Sequence, residues 1–250
     1  MEKIRHKSIE VYEQALNVAQ YYVSERYKNN FSGNGDDFIH KLRSNIQHRV
    51  ESVGWHYINL ESMHERAESE YFVNVKNDNE HQYLLQQLRI QYFIFDDIVF
   101  NLLSLFEYTG NLVGYFLKER HGKKLKWKGV SKSARDKNNE FYKTDIAQVI
   151  DKADRNLVTK LEDYRAKLFH YENDMGSIGT KIEFASERAI QIQIEMPNSF
   201  KKIFKDIEIE EKNNQLLSYS KYAILSSIEV VLNILTLLQE WEVEAIENKI

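Results

Sequence analysis

The sequence predicts an all-α protein: a bundle of about five long helices with a β-hairpin inserted before the last one. Three observations carry that prediction. The chain has one proline in 250 residues, Pro197, so nothing locks φ or removes a backbone donor over the first 196 positions. Apolar residues recur at three- and four-residue steps through most of the length, the period of a helix with one buried face. Only near residues 181–196 does the period change to two, the mark of strands. With 42% hydrophobic and 29% charged residues, the chain has enough apolar surface to bury a core and is not expected to be disordered. One domain over residues 1–250 is the economical reading.

The first helix is predicted from Ile4 to about Lys28, with Val11, Tyr12, Ala15, Ala19, Tyr22 and Val23 on one face. Phe31-Ser-Gly-Asn-Gly35 interrupts it, and Asp36 offers an N-cap carboxylate to the second helix. There Phe38, Leu42, Ile46, Val53, Tyr57, Leu60 and Ala67 form the buried stripe, which continues past Tyr71 until Asn77-Asp78-Asn79 breaks it. The third helix runs to about Arg120. It is apolar nearly all round from Leu84 to Leu117, which suits the middle of a bundle.

A basic, poorly periodic connection follows from Lys118 to Lys137, with nine Lys and Arg residues against Glu119 and Asp136. The fourth helix begins near Thr144 or Asp145 and carries Ile146, Val149, Ile150, Ala153, Leu157, Leu161, Tyr164 and Leu168. Asn173 to Gly179 stops it. Residues 181–184 and 190–196, joined around 186–188, alternate as a hairpin inserted over about 180–196. A last helix rich in Leu and Ile is predicted from about Glu210 nearly to the end.

Several function classes are excluded early. With no cysteine there is no disulfide, thiolate metal site or cysteine nucleophile. The net charge of −4 gives no global attraction to nucleic acid, and the charged first ten residues lack the apolar stretch of a signal peptide. Ile98–Leu117 and Tyr222–Leu238 approach membrane-spanning length, but Glu107 and Glu229 interrupt them. A mid-span charge costs roughly 3 kcal/mol on insertion scales, so both read as core helices, and a cytoplasmic protein without a membrane partner is expected.

No Gly-rich phosphate loop, nucleophile elbow or zinc signature is present. His40, His48, His56 and His64 recur every eighth residue, which advances a helix by roughly 80° each time. They spiral, form no metal stripe and read as surface residues. Glu61-Ser-Met-His64 has the Glu-x-x-His spacing of a di-iron bundle without the second copy such a site needs, so no metal or cofactor is expected. Asp96 and Asp97 lie within the most apolar helix, where a carboxylate needs a basic or hydroxyl partner; a structural role is the simpler reading.

Arg165-Ala-Lys-Leu-Phe-His170, followed by Tyr171 and Glu172, carries the chemistry. Five residues at roughly 100° each set Arg165 and His170 about 140° apart on an unbroken helix, so one copy does not close a site from this pair. Projected on the fourth helix, Arg165 falls roughly 80° and His170 roughly 140° from the centre of the apolar face, on opposite sides. A second copy packed across the motif supplies the complement. The plainer account is that Arg165 pairs with Glu162 and His170 sits exposed at the helix C-terminus, where a cation favours the dipole.

An Arg-x4-His spacing late on a helix of an all-helical chain, in a Tyr-Arg-…-Phe-His-Tyr setting, resembles the signature of the HEPN superfamily. Those are all-helical domains found in many metal-independent ribonucleases, toxins and phage-defence proteins. The resemblance implies two motifs facing each other across a shared cleft, here from a homodimer. It implies RNA as substrate, Arg165 and His170 as catalytic residues, and an antitoxin or other protein as a further partner. Lys167 and Tyr171 would orient or bind phosphate beside them.

The chemistry agrees with the residue types. Histidine titrates near neutrality and transfers protons, and arginine offers phosphate a planar, permanently charged fork. Lys123, Lys124, Lys126 and Lys128, with Trp127 among them, have the charge and the aromatic ring for single-stranded RNA; a solvated lysine-rich loop is the alternative. The alternative function is a non-catalytic HEPN-like module for protein interaction or nucleotide binding.

Overall fold

Long helices take up most of the chain, as the apolar steps require. The computed structural model describes residues 2–28, 35–76, 79–121, 126–170, 176–184, 188–203 and 214–247. In order these form α1 (Glu2–Lys28), α2 (Gly35–Ser69), the single turn α3 (Tyr71–Asn74), α4 (Glu80–His121) and α5 (Trp127–Arg135). A 3-10 turn (Glu140–Lys143), α6 (Asp145–Ala153), a π-helical stretch (Asp154–Val158) and α7 (Thr159–His170) follow. The chain ends with β1 (Ser177–Phe184), β2 (Arg188–Glu195), α8 (Asn198–Ile203) and α9 (Gln215–Glu247). An all-α bundle with a hairpin before the last helix is therefore the observed class.

The differences from the sequence reading are local. The basic connection holds a helix, α5, whose Trp127, Val130, Ser131 and Ala134 are buried at helical spacing. Its short length and seven polar or small residues hid that period. The fourth helix is α6 and α7 with a π-helical turn between them. Thr144 caps α6, its hydroxyl accepting the Ala147 N–H at 3.2 Å. The last helix starts at Gln215, where the Asn214 side chain accepts the Leu217 N–H at 3.1 Å, and α8 precedes it.

The chain divides into two compact units. One comprises Met1–Ser52, Asn101–Thr159 and Leu225–Ile250, the other Val53–Phe100 and Lys160–Ile224. In the first, Val11 and Ala15 of α1, Ile46 and Val50 of α2, Leu102, Phe106 and Val113 of α4, Ile150 of α6 and Val231 and Leu235 of α9 are buried. Helix α5 approaches α4 so closely that a Cβ on Gly110 would lie 2.6 Å from the Trp127 Cα.

In the second unit, Val53, Tyr57 and Leu60 of α2, Leu88, Phe95 and Ile98 of α4, Leu161 and Tyr164 of α7 and Leu216 and Tyr219 of α9 are buried. The hairpin alternates as predicted: Ile190, Ile192 and Ile194 face inward, with Thr180 opposite Ile192 in an antiparallel register. The outer edge of β2 meets side chains. The Ile192 N–H donates to Glu68 at 2.8 Å and the Met196 N–H to Gln215 at 2.9 Å, and Ile194 forms a lone bridge with Asn214. Gly176 enters β1 at φ 69°, where a Cβ would strike the Glu195 carbonyl oxygen.

Gln215–Glu240 is long and apolar enough to cross a membrane by length and composition, and 44% of its most apolar window is buried within the protein.

Candidate functional site

Helix α7 carries the Arg-x4-His motif, and the residue before it is fixed in place. Tyr164 is buried, its hydroxyl donating to Asp96 of α4 at 2.7 Å. Its ring meets Phe95 and Phe200 edge-on, at centroid separations of 5.4 and 4.6 Å, and Phe200 in turn meets Tyr219 at 5.2 Å. Such edge-to-face pairs are each worth about 0.5–1.5 kcal/mol beyond burial. Burial pushes the Asp96 carboxyl up to about 6; the Tyr164 hydrogen bond opposes the rise and the neighbouring Asp97 adds to it. The Tyr164 hydroxyl is raised by burial and by the Asp96 charge. Asp96 thus has the hydroxyl partner its position demanded.

Arg165 follows Tyr164 by roughly 100° and is exposed. Among the described residues it forms no ion pair, so the pairing with Glu162 is not made. Ala166 is exposed beside it. Lys167 and His170 lie within α7, which ends at His170, and their side chains fall outside the described set. Tyr171, Lys123 and Lys124 are outside the described residues.

The basic segment differs from its reading as an RNA contact in one respect. Lys126 and Lys128 are exposed, but Trp127 between them is only 2% exposed. Its indole N–H donates to Asp154 at 2.7 Å and its ring lies 4.9 Å from Phe106. A ring held this way cannot stack a base; the helical phase of α5 turns it inward while its lysine neighbours turn out. Arg135 bridges Asp154 and Asp151, and Arg155 reaches Asp151 at 2.9 Å. Burial works against ionisation of Asp151, but the two guanidinium groups outweigh it and hold the carboxyl below its ordinary range.

Two features escaped the sequence reading. Arg43-Ser-Asn-Ile-Gln-His48 on α2 is a second Arg-x4-His spacing, and the bare spacing was signal enough to find it. Arg43 is half-buried, its Nε enclosed without a hydrogen-bond partner, and His48 is exposed. His64, expected at the surface, is instead buried. Its Nε2 lies 3.5 Å from Glu68, the carboxylate that holds the hairpin edge. Among the described residues no group of three or more His, Asp or Glu side chains gathers to hold a metal ion.

Comparisons with family models, with curated proteins and with solved structures give no match.

Proposed function

We propose that this chain is a HEPN-type, metal-independent endoribonuclease that works as a homodimer, an RNA-directed toxin or defence protein of the cytoplasm. One observation carries the reading. Arg165 stands exposed and without a partner among the described residues, directly after a tyrosine locked by a carboxylate and two aromatic rings. A rigid helix presenting an unspent guanidinium to solvent is the arrangement that phosphate recognition needs.

In the proposed reaction His170 transfers the proton that leaves the ribose 2′-hydroxyl, or the one that reaches the departing 5′-oxygen. The 2′-oxygen forms its bond to phosphorus as the 5′-oxygen bond breaks, leaving a 2′,3′-cyclic phosphate and a 5′-hydroxyl. Arg165 stabilises the crowded charge on phosphorus, and Lys167 and Tyr171 assist in holding it. Exposed Lys126 and Lys128, with Lys123 and Lys124, would bind backbone phosphates without Trp127. An antitoxin or other protein would hold such an activity in check.

Incubation of the pure protein with labelled RNA in EDTA tests this: fragments ending in 2′,3′-cyclic phosphate are expected, and none from Arg165→Ala or His170→Ala. A second measurement identifies the opposing motif. A second copy of α7 supplies it, so His48→Ala on α2 is expected to leave cleavage unchanged. The second reading, a non-catalytic interaction module, is favoured by the exposed aromatics Trp55 and Phe93, and absence of cleavage by a dimeric protein would select it.

A further inference from the structure

The two edges of the hairpin are treated differently. On β2 the Ile192 N–H donates to Glu68, and Ile194 bridges Asn214, so the backbone groups of these residues point away from β1. In an antiparallel pair, residues directly opposite either exchange both backbone bonds or turn both outward, in alternation. Ile178 is opposite Ile194, Thr180 opposite Ile192 and Ile182 opposite Ile190. The N–H and C=O groups of Ile178, Thr180 and Ile182 therefore point out from the far side of β1. Among the described residues the sheet has only the order β1-β2, and no group bonds these amides or carbonyls. Thr180 spends its hydroxyl instead, donating to Glu80 at 3.4 Å, the carboxylate that also takes the Tyr71 hydroxyl. That bond fixes the centre of the strand and leaves its backbone open.

We propose that a second copy of the chain pairs here, β1 against β1, antiparallel about a twofold axis at Thr180, so that two hairpins join into one sheet. The strand's own pattern selects this occupant. Residues 178–182 read Ile-Gly-Thr-Lys-Ile, with an isoleucine two places to each side of Thr180. The twofold sets Ile178 opposite Ile182 of the second copy and Thr180 opposite its own counterpart, each pair exchanging both backbone bonds. Like side chains then meet across the seam, the contact that stabilises paired strands.

On the other face Gly179 comes opposite Lys181, so the two lysines do not oppose each other. A Cβ built on Gly179 would meet no atom within 4 Å, which leaves room for the long side chain. An axis at Lys181 would set lysine against lysine, and one at Gly179 would set Ile178 against Thr180. Proline, bulges or covering groups ordinarily blunt an edge strand. The β1 register runs unbroken from Ser177 to Phe184 without a proline, whereas β2 is covered at Ile192 and Ile194. The proposal goes beyond the nuclease reading and does not rest on it, since the matching lies in β1 and uses neither Arg165 nor His170.

Sedimentation of the full chain tests the proposal, and the native protein is expected to be a dimer. Thr180→Pro removes the amide at the axis and no bond between β1 and β2, a place where an edge strand tolerates proline. A monomer with an unchanged circular dichroism spectrum is expected. Cysteine substitution reads the register independently, because the native chain has no cysteine. Opposed residues of a hydrogen-bonded pair lie about 5.5 Å apart at Cα, within disulfide range, so oxidised Thr180→Cys is expected to run as a covalent dimer. Ile178→Cys would lie roughly 13 Å along the strand from its counterpart and is expected to stay single.

A monomeric native protein, a folded Thr180→Pro variant that still dimerises, or cross-linking at Ile178→Cys in place of Thr180→Cys would overturn the proposal. A dimer that cleaves RNA and persists in Thr180→Pro overturns this edge while leaving the nuclease reading standing. A native dimer that cleaves no RNA and is lost in Thr180→Pro upholds the edge and removes the nuclease.

Discussion

Replacing Asp96 with asparagine isolates the electrostatic cost of fixing Tyr164. The native carboxyl, ordinarily near 3.8, titrates at about 6 because burial penalises its charge more than the Tyr164 hydroxyl relieves it. The folded protein therefore keeps this proton to about pH 6, whereas the unfolded chain releases it near its ordinary value. Between those two values the folded state holds more protons, so its stability falls as pH rises. The full displacement corresponds to roughly 3 kcal/mol at about 1.4 kcal/mol per pH unit, and partial solvent access reduces it to about 1–2 kcal/mol.

Asparagine keeps an oxygen for the Tyr164 hydroxyl and carries no charge at any pH. Urea unfolding of both proteins, followed by circular dichroism, should give similar stabilities near the ordinary carboxyl value. Asp96→Asn should then lead by about 1–2 kcal/mol at neutral pH, with the gap opening between 3.8 and about 6 and level above that. Curves that stay parallel across that range would refute the reasoning, since the carboxylate would then carry no burial cost.

Tyr164→Phe removes the donor and leaves Asp96 enclosed with its aromatic neighbours. A loss of about 1–3 kcal/mol is expected, with an Asp96 titration seen by NMR to move still higher. Gly110→Ala drives a methyl group into the Trp127 backbone, and overpacking of this kind costs about 1–3 kcal/mol, measurable as a fall in melting temperature. Trp127→Phe forfeits the hydrogen bond to Asp154 and should cost about 1 kcal/mol, yet leave RNA affinity unchanged. Lys126→Glu with Lys128→Glu should instead flatten the salt dependence of RNA binding by about 0.7 in log–log slope per lost phosphate contact on a single strand.

The bundle was legible because burial writes a period into sequence. Leu42, Ile46, Val53, Tyr57, Leu60 and Ala67 were all read as one face of α2, and all are buried. The hairpin was legible for the same reason at period two, through Ile190, Ile192 and Ile194. Helix α5 was not, because nine residues dominated by lysine, serine and glycine show too few apolar steps to reveal a period. The inward turn of Trp127 followed from that miss.

The aromatic lock on Tyr164 depends on pairs distant in sequence, such as Asp96 with Tyr164 and Phe95 with Phe200, which no local pattern encodes. The π-helical turn at Asp154–Val158 shifts the helical phase, so angles projected along an unbroken fourth helix do not carry across it. Arg43 and His48 were visible as spacing. The bare spacing lies on a helix whose histidines recur every eighth residue, and without an aromatic setting it reads as ordinary surface.

The hairpin has a finished border. A two-stranded sheet ordinarily leaves unpaired amides along both margins, an invitation to foreign strands and to aggregation. Here a carboxylate from α2 occupies the β2 donor at Ile192, an amide from α9 the donor of Met196 just past the strand's end, and Asn214 closes the position between. Widening of the sheet on that margin is blocked by groups anchored in helices, so misassembly through β2 would first require stripping Glu68 and Gln215 away.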